Sequence, residues 1–345
     1  MTSKNPSRSL TSVHGGVTMM GCALMASGEG AKAVALIEGL AASEPTNAEL
    51  RSATNLVLSH GVPNYHLSML EDVPRNAAFA NAIARVVKPG ATVLDIGTGS
   101  GLLAMMAARA GATCVVACEA HQALAETARE IISRNGLQDI IRVIGDKSTS
   151  IERDVHIPGG ADVIIAEVFA DNLLGEGALA ALSHATSHLG RPGARVIPAA
   201  ASIRAALAYF ETPTVDLTDV DGFDLSLFKR HLHPDHALDI NQTDFVLRSE
   251  PDDLFSFDFQ AGTGYEAAGV TKSFTAVGGK ANGVVRWIRL QLDAEGVYEN
   301  IPSPDNTSHW SMLFIPLPGG MSVAEGETLT VGASHDRKRV NIWFE

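Results

Sequence analysis

Between residues 91 and 166, short apolar runs alternate with helical stretches, and this alternation restricts the fold more than any other feature. The apolar runs are ATVLDIG, TCVVACEA, IIRVIGD and ADVIIAEVF, and LLAMMAARAGA and ALAETAREIISRNGL lie between them. Strands that alternate with helices form parallel sheets wound by right-handed crossovers. The sequence therefore predicts an α/β domain with a Rossmann-like parallel sheet.

The first apolar run ends in a glycine-rich turn that indicates a cofactor site. In VLDIGTGSG, Gly97 and Gly99 follow Asp95, and glycine allows the backbone to turn tightly and approach a ligand closely. Glu119 ends the next strand, where a carboxylate can bind ribose hydroxyls. No Walker lysine follows the glycines, which argues against a triphosphate. A cofactor with a nucleoside and no phosphates fits best, and S-adenosyl-L-methionine is that cofactor.

The segment before this strand places polar side chains at intervals of three. His66, Met69, Asp72 and Arg75 would share one helical face if the segment were helical throughout, although Pro74 interrupts the register. One interpretation is a surface ion pair between Asp72 and Arg75. The other gives Arg75 the carboxylate of the cofactor's methionine moiety, with Asp72 orienting its guanidinium.

Two glutamates follow the fourth apolar run, in AEVFADNLLGEGALAAL. Glu167 comes directly after ADVIIA, at the strand end where α/β sheets bind ligands. Glu176 follows nine positions later, and alone it could be an acid at a helix N-terminus. Two carboxylates so close together call for a positive group between them.

Several segments resemble the protein arginine methyltransferases, most closely the type-seven proteins that make monomethylarginine. The resemblance covers roughly residues 63 to 345, and its motifs occur in the family's order. It implies a cofactor-binding α/β domain, a β-barrel and an arm that pairs two subunits. The segments are MLEDVPRN, VLDIGTGSGLLAMMAARAGA, CEA, VIGDKSTSI, EVFADNLLGEG, SHWSMLFIPL and GASHDRKRVNIWF.

The resemblance also implies roles for the site residues. Glu167 and Glu176 would grip the guanidinium, and His309 would orient a glutamate. The other candidates are His66, Arg75, Asp95, Gly97, Gly99, Glu119 and Ser148 for the cofactor, and Met69 and Trp310 for the substrate pocket.

The domain organisation follows from changes in pattern along the chain. Residues 1–62 hold two short helices, AKAVALIEGLAAS and NAELRSATNLVLSHG, like one tetratricopeptide hairpin that must pack on the rest of the chain or on a second subunit. The cofactor domain spans 63–197. Strand-like runs split by turns predict an antiparallel β-barrel or sandwich over 198–345. The arm is expected around 210–238, and with it a homodimer.

The substrate stays open at this point. Type-seven proteins usually carry a second, degenerate copy of the module, which this sequence lacks. The acid often found three residues after the first glutamate is replaced by Ala170, with Asp171 one further on. Free L-arginine in a bacterial natural-product pathway is slightly favoured, and the alternatives are protein-bound arginine, another small molecule, or a non-catalytic cofactor-binding scaffold.

Charge and composition narrow the partners and the location. The chain has 39 acidic and 26 basic residues and a net charge of −13, which argues against nucleic acid or an anionic membrane as a partner. Three cysteines without a paired framework indicate packed, reduced thiols and a cytoplasmic protein. The histidines of HLHPDH, at 231, 233 and 236, match no firm ligand spacing, so no metal is expected.

Overall fold

The computed structural model describes residues 13–60, 62–211, 216–231, 235–238, 245–261, 265–301 and 308–345. Within them the chain forms nine α-helices and fifteen β-strands. The helices are α1 Val13–Ala26, α2 Gly30–Ser43, α3 Ala48–Leu58, α4 Tyr65–Glu71, α5 Val73–Val86, α6 Leu102–Arg109, α7 Gln122–Arg134, α8 Arg153–His156 and α9 Ala178–His184. The strands are β1 Thr92–Ile96, β2 Cys114–Cys118, β3 Ile141–Ile144, β4 Ala161–Ala166, β5 Gly190–Ile197, β6 Ala200–Tyr209, β7 His236–Leu238, β8 Val246–Leu247, β9 Asp252–Asp258, β10 Ala268–Thr275, β11 Gly283–Gln291, β12 Val297–Glu299, β13 Met312–Pro316, β14 Thr328–His335 and β15 Val340–Phe344.

The N-terminal helices form a small unit that packs on the cofactor domain. The predicted helices α2 and α3 are present, and Asn47 caps α3 by accepting hydrogen bonds from two backbone N–H groups. α1 is a further helix that the sequence did not predict. A Cβ on Gly30 of α2 would lie 2.3 Å from Cβ of Gln122 on α7, so the two helices are in close contact. The expectation that the hairpin packs on another part of the chain is confirmed.

The parallel sheet brings the predicted strand ends together. Its strand order is β3-β2-β1-β4-β5, and all four pairings are parallel. The chain builds outward from β1 on one side and from β4 on the other, so the order reverses between these two strands. Ile96 pairs with Ala166 across them, so Gly97 and Glu167 leave the sheet side by side. Ligands bind at this reversal in α/β sheets.

The second half of the chain is antiparallel, as predicted. A seven-stranded sheet, with β6 and β11 at its centre, curls into a half-barrel beside a three-stranded sheet of β10, β14 and β15. Both faces of β6 are covered, since Ala206 packs in one apolar cluster with Trp287 while Leu207 packs in the main core. Two-sided burial explains why this strand reads as a nearly continuous apolar run.

The change from parallel to antiparallel pairing falls between β5 and β6. The proposed boundaries at 62/63 and 197/198 are consistent with this change but stay a proposal. The arm candidate, 210–238, is described only over 210–211, 216–231 and 235–238, and His233 of HLHPDH lies outside the described residues. No helix in the described part of the chain is long and apolar enough to cross a membrane.

Two local expectations from the sequence were wrong. The segment with intervals of three is not one helix, because α4 ends at Glu71 and α5 begins at Val73. Asp72 stands at the break and caps α5, with Pro74 in the first turn where a missing N–H costs nothing. Cys114 is exposed at the start of β2 rather than packed, whereas Cys118 at its end is buried.

Candidate active site

A cavity of about 730 Å³ opens at the carboxyl ends of β1 and β4. It brings together most of the candidate residues from the cofactor domain and the barrel. Arg75 and Asp95 do not line it and lie buried behind its wall. The candidates that line it are His66, Met69, Gly97, Gly99, Glu119, Ser148, Glu167, Glu176, His309 and Trp310.

The glycine turn forms the floor of the cavity. Gly97 and Gly99 have φ angles of +70° and +54°, which glycine adopts without strain. A Cβ on Gly97 would lie 2.4 Å from Cγ1 of Val168, so no larger residue fits without movement. The Glu119 carboxylate accepts hydrogen bonds from the backbone N–H of Gly99 at 3.0 Å and of His121 at 2.8 Å. Each carboxylate oxygen keeps a lone pair for a ligand hydroxyl.

Two buried polar atoms behind the cavity have no partner. Asp95 is 1% exposed; Thr98 donates to its Oδ2 at 2.6 Å, but Oδ1 has no hydrogen bond. Burial raises the pKa of Asp95 to about 6, against the lowering by the Thr98 hydrogen bond. Nε of Arg75 is also buried and unpaired. The unpaired carboxylate oxygen and guanidinium N–H fit the amino acid moiety of a cofactor. Glu119 can bind the ribose of its nucleoside.

Arg75 pairs with Glu167, the first glutamate of the segment between β4 and α9, which we call the glutamate hairpin. Its Nη2 donates to Oε2 of Glu167, and these side chains are only 2% and 6% exposed. Nη1 donates to Oδ1 of Asn76 at 2.8 Å, and the guanidinium lies 5.1 Å from the Phe79 ring centroid. The Glu167 charge is therefore balanced within the protein.

Asp72 does not orient this guanidinium, contrary to the sequence interpretation. Its Oδ1 accepts from the backbone N–H of Arg75, and its Oδ2 accepts from the hydroxyl of Tyr298 at 2.7 Å and from Nδ1 of His309 at 3.0 Å. Burial by itself would raise the pKa of Asp72, but the hydrogen bonds from His309, Arg75 and Tyr298 outweigh it and hold the pKa below its ordinary value. His309 thus contacts Asp72 rather than a glutamate, so its expected orienting role was wrong.

Glu176 lines the same cavity and is exposed. Desolvation raises the pKa of its carboxyl, the negative charges of Glu167, Glu119 and Asp171 raise it further, and a hydrogen bond from Tyr65 opposes them. The pKa of Tyr65 is raised for related reasons, first by burial and then by Glu176. Sequence reasoning missed Tyr65; the only signal was its place beside His66, whose ring centroid is 4.6 Å away.

The hairpin that carries the glutamates is fastened to the barrel. Nε1 of Trp310 donates to the carbonyl oxygen of Phe169 at 2.7 Å, and the backbone N–H of Ser311 donates to Oδ1 of Asp171 at 2.9 Å. Asp171, the acid displaced by one position in the motif, therefore joins the two loops. The cavity wall is built from both halves of the chain.

The fold and this site define a methyltransferase that uses S-adenosylmethionine. A family model described as Ribosomal protein L11 methyltransferase (PrmA) matches residues 77–196. Solved structures support the same fold over most of the chain. A Trypanosoma brucei PRMT1 enzyme–prozyme complex with AdoHcy has a TM-score of 0.70 at 22% identity and covers 83% of this chain and 98% of that one. Arabidopsis thaliana protein arginine methyltransferase 10 has a TM-score of 0.65 at 22% identity, covering 79% and 87%.

The chain belongs to the arginine N-methyltransferase family. An Arginine N(omega)-methyltransferase of Streptomyces achromogenes subsp. streptozoticus is 36% identical over 294 residues, which are 83% of this chain and 80% of that protein. Protein arginine N-methyltransferase 7 of Danio rerio is 31% identical over 317 residues, 81% of this chain but 45% of its own length. The chain thus spans slightly less than half of that relative. The resemblance found in the sequence, including its cofactor S-adenosylmethionine and its enzymatic character, is confirmed.

Proposed function

We propose that the enzyme transfers one methyl group to the guanidino group of free L-arginine. The observation that carries this proposal is the pair of carboxylates, Glu167 and Glu176, that faces one cavity with the glycine turn. Glu167 is already paired with Arg75, so a neutral or acidic acceptor would leave Glu176 without a positively charged partner. The bacterial relative that shares 80% of its length with this chain is named for arginine itself, which favours the free amino acid over a protein substrate.

The two carboxylates explain how such a substrate would be held. A guanidinium is planar, keeps its proton with a pKa above about 12, and is a poor nucleophile because its lone pairs are delocalised. Glu167 and Glu176 would accept its N–H donors, fix its plane and leave one terminal nitrogen facing the cofactor loop. S-adenosylmethionine supplies the electrophilic methyl group when bound. Positioning by the two glutamates then contributes much of the rate, and Glu176 would accept the proton that the methylated nitrogen loses.

The cofactor would be held from both sides of the sheet reversal. We propose that Glu119 binds its ribose and Arg75 binds its carboxylate. Gly97 and Gly99 would let the backbone approach it closely. Asp95 would accept from the amino acid moiety with its unpaired Oδ1, and His66 and Ser148 would line the bound cofactor. Burial lowers the pKa of His66, so this imidazole is neutral at pH 7 and adds no charge that would repel the sulfonium.

The substrate side of the pocket would be shaped by Met69, Trp310 and His309. His309 is fixed by Asp72 and contacts Trp310, with 4.2 Å between the ring centroids and 38° between the ring planes. These contacts hold the loop before β13, which carries His309 and Trp310, against the guanidinium site. The resemblance to the type-seven proteins favours a monomethylated product.

One experiment tests the substrate. The enzyme is incubated with labelled S-adenosylmethionine and either L-arginine or an arginine-rich peptide, and the product masses are measured. We expect transfer of one methyl to L-arginine, no transfer by Glu176→Gln, and wild-type transfer by Glu325→Gln, whose side chain is exposed in the barrel domain. Label only in the peptide would overturn free arginine in favour of the protein substrate, and a dimethylated product would overturn the limit to one methyl.

We further propose a homodimer formed through the arm. The described residues 216–231 expose a group of large apolar side chains, with Phe223, Leu227 and Phe228 at 67%, 76% and 65% exposure. Such a patch on a monomer marks an interaction surface. Sedimentation should show a dimer, and Leu227→Asp with Phe228→Asp should give a folded monomer; a monomeric wild type would contradict the proposal. The three cysteines, all free, support a cytoplasmic enzyme.

A further inference from the structure

The turn between β14 and β15 carries three adjacent basic residues. Arg337, Lys338 and Arg339 are all exposed, in a chain whose net charge is −13. Ion pairs in the described part of the chain involve other residues and leave these three side chains available. A cationic patch of this kind in an acidic protein suits a small anionic group.

Hydrogen bonds close this turn, and one of its residues has a strained backbone. Oδ1 of Asp336 accepts hydrogen bonds from the backbone N–H groups of Lys338 at 2.9 Å and Arg339 at 2.6 Å. The backbone N–H of Asp336 donates to the carbonyl oxygen of Arg339 at 3.2 Å. Arg337 has φ +77°, a left-handed conformation that glycine adopts more readily. Strained backbone positions of this kind cluster at ligand-binding sites.

A single residue fastens this turn to the hairpin of the two glutamates. Nδ2 of Asn172 donates to the carbonyl oxygen of Lys338 at 3.4 Å. Oδ1 of the same side chain accepts from the backbone N–H groups of Leu174 at 2.9 Å and Gly175 at 2.7 Å, directly before Glu176. The basic turn therefore lies beside the segment that carries both glutamates, whose Asp171 and Glu176 line the cavity.

We propose that the turn Asp336–Arg339 binds the α-carboxylate of free arginine, an inference that rests on the proposed function. When the guanidinium is held by Glu167 and Glu176, the other end of the molecule extends toward the cavity mouth. Its carboxylate needs donors there, and guanidinium and ammonium groups form strong charge-assisted hydrogen bonds with carboxylates. The acidic cavity alone would repel that carboxylate. The turn would thus make the enzyme prefer free arginine over a peptide, because in a peptide the α-carboxylate has become an amide.

The test compares L-arginine with agmatine, which has the same guanidine but no carboxylate. Wild type should methylate L-arginine with the higher kcat/KM. Replacing the patch by Arg337→Gly, Lys338→Ala and Arg339→Ala should raise KM for L-arginine about 10- to 100-fold, as expected for lost charge-assisted bonds, with little change for agmatine. Arg337→Gly relieves the strained φ, so the variant should remain folded, as thermal melting would show. Arg109→Ala, an exposed arginine on α6, serves as the control and should leave both substrates unaffected.

The outcomes separate this inference from the proposed function. Suppose that wild type methylates L-arginine but the triple variant changes KM equally for L-arginine and agmatine, or changes it for neither substrate. The proposed carboxylate subsite is then wrong, whereas the proposed substrate is right. If wild type methylates the peptide and not L-arginine, the proposed function fails, and the subsite fails with it.

Discussion

Asp72 holds His309 twice, because Oδ2 accepts from the backbone N–H of His309 at 3.2 Å and from its Nδ1 at 3.0 Å. Asp72 belongs to the break between α4 and α5, whereas His309 belongs to the loop before β13. Tyr298, from β12, donates to the same oxygen. One buried carboxylate thus joins the cofactor domain to the barrel at the wall of the active site.

The first prediction concerns this junction. Asp72→Asn should lower the free energy of unfolding at pH 7 by about 3 kcal/mol, because it leaves a buried network partly unsatisfied. Tyr298→Phe removes the hydroxyl that bonds both Asp72 and Ser308, and it should cost about 1–2 kcal/mol. Urea unfolding of both variants measures these losses, and methyl transfer should fall with them because His309 loses its fixed orientation. Equal stability of Asp72→Asn and wild type would contradict the assigned role.

The pH dependence of this effect has a definite sign. Since the folded pKa of Asp72 lies below its ordinary value of 3.8, its ionised form stabilises the protein above that value. The contribution is lost as the pH falls through the folded pKa. The stability difference between wild type and Asp72→Asn should therefore be constant from pH 7 to about 5 and shrink in more acidic solution.

The second prediction concerns the pair of Tyr65 and Glu176. Guanidinium binding requires an ionised Glu176, whose pKa is already raised. The Tyr65 hydroxyl favours the ionised form, so Tyr65→Phe should raise that pKa further. The acidic limb of the kcat/KM profile should therefore move to higher pH in this variant. Tyr265→Phe, which removes a hydroxyl bonded to the Asp258 carbonyl in the barrel, is the matched control and should leave the limb in place.

Much of the site could be predicted because it consists of strand ends. The alternation of strands and helices orders the sheet, and sheet order then places Gly97, Glu119 and Glu167 at one edge without knowledge of any side-chain contact. Glu176 and Trp310 were found through their resemblance to family motifs.

Contacts between the two halves of the chain could not be predicted in the same way. The partners of Asp72 are Tyr298 and His309, more than two hundred positions away, and no periodicity connects them. The spacing of Asp72 and Arg75 suggested that their side chains meet, whereas the helix break turns Asp72 into a cap and leaves Arg75 to Glu167. Tyr65 was missed because a tyrosine in a short helix has no distinctive pattern.

The third prediction tests the glycine turn. Gly97→Ala would force a methyl group to within 2.4 Å of Val168 in a left-handed backbone conformation. We expect cofactor affinity to fall at least about tenfold, since strain of about 1–2 kcal/mol is joined by a clash at the cavity floor. Gly90→Ala is the matched control, because Gly90 has φ +87° and a Cβ added there would meet no atom within 4 Å. Gly90→Ala should have the same backbone strain but keep the wild-type affinity for the cofactor, as measured by calorimetry. An equal loss of cofactor affinity in both variants would show that strain alone is responsible.

The last prediction separates substrate binding from cofactor binding at Glu167. Glu167→Gln keeps the shape of the side chain and an oxygen that Arg75 can still bond, but it removes the charge that a guanidinium needs. Methyl transfer should fall by at least about a thousandfold, as for loss of a group that positions the reacting atoms. The dissociation constant for S-adenosylmethionine should stay within about threefold, because Arg75 retains its place beside the cofactor. Transfer near the wild-type rate would show that Glu167 does not bind the substrate. A large loss of cofactor affinity would instead show that its main role is to hold Arg75, and it would assign the guanidinium mainly to Glu176.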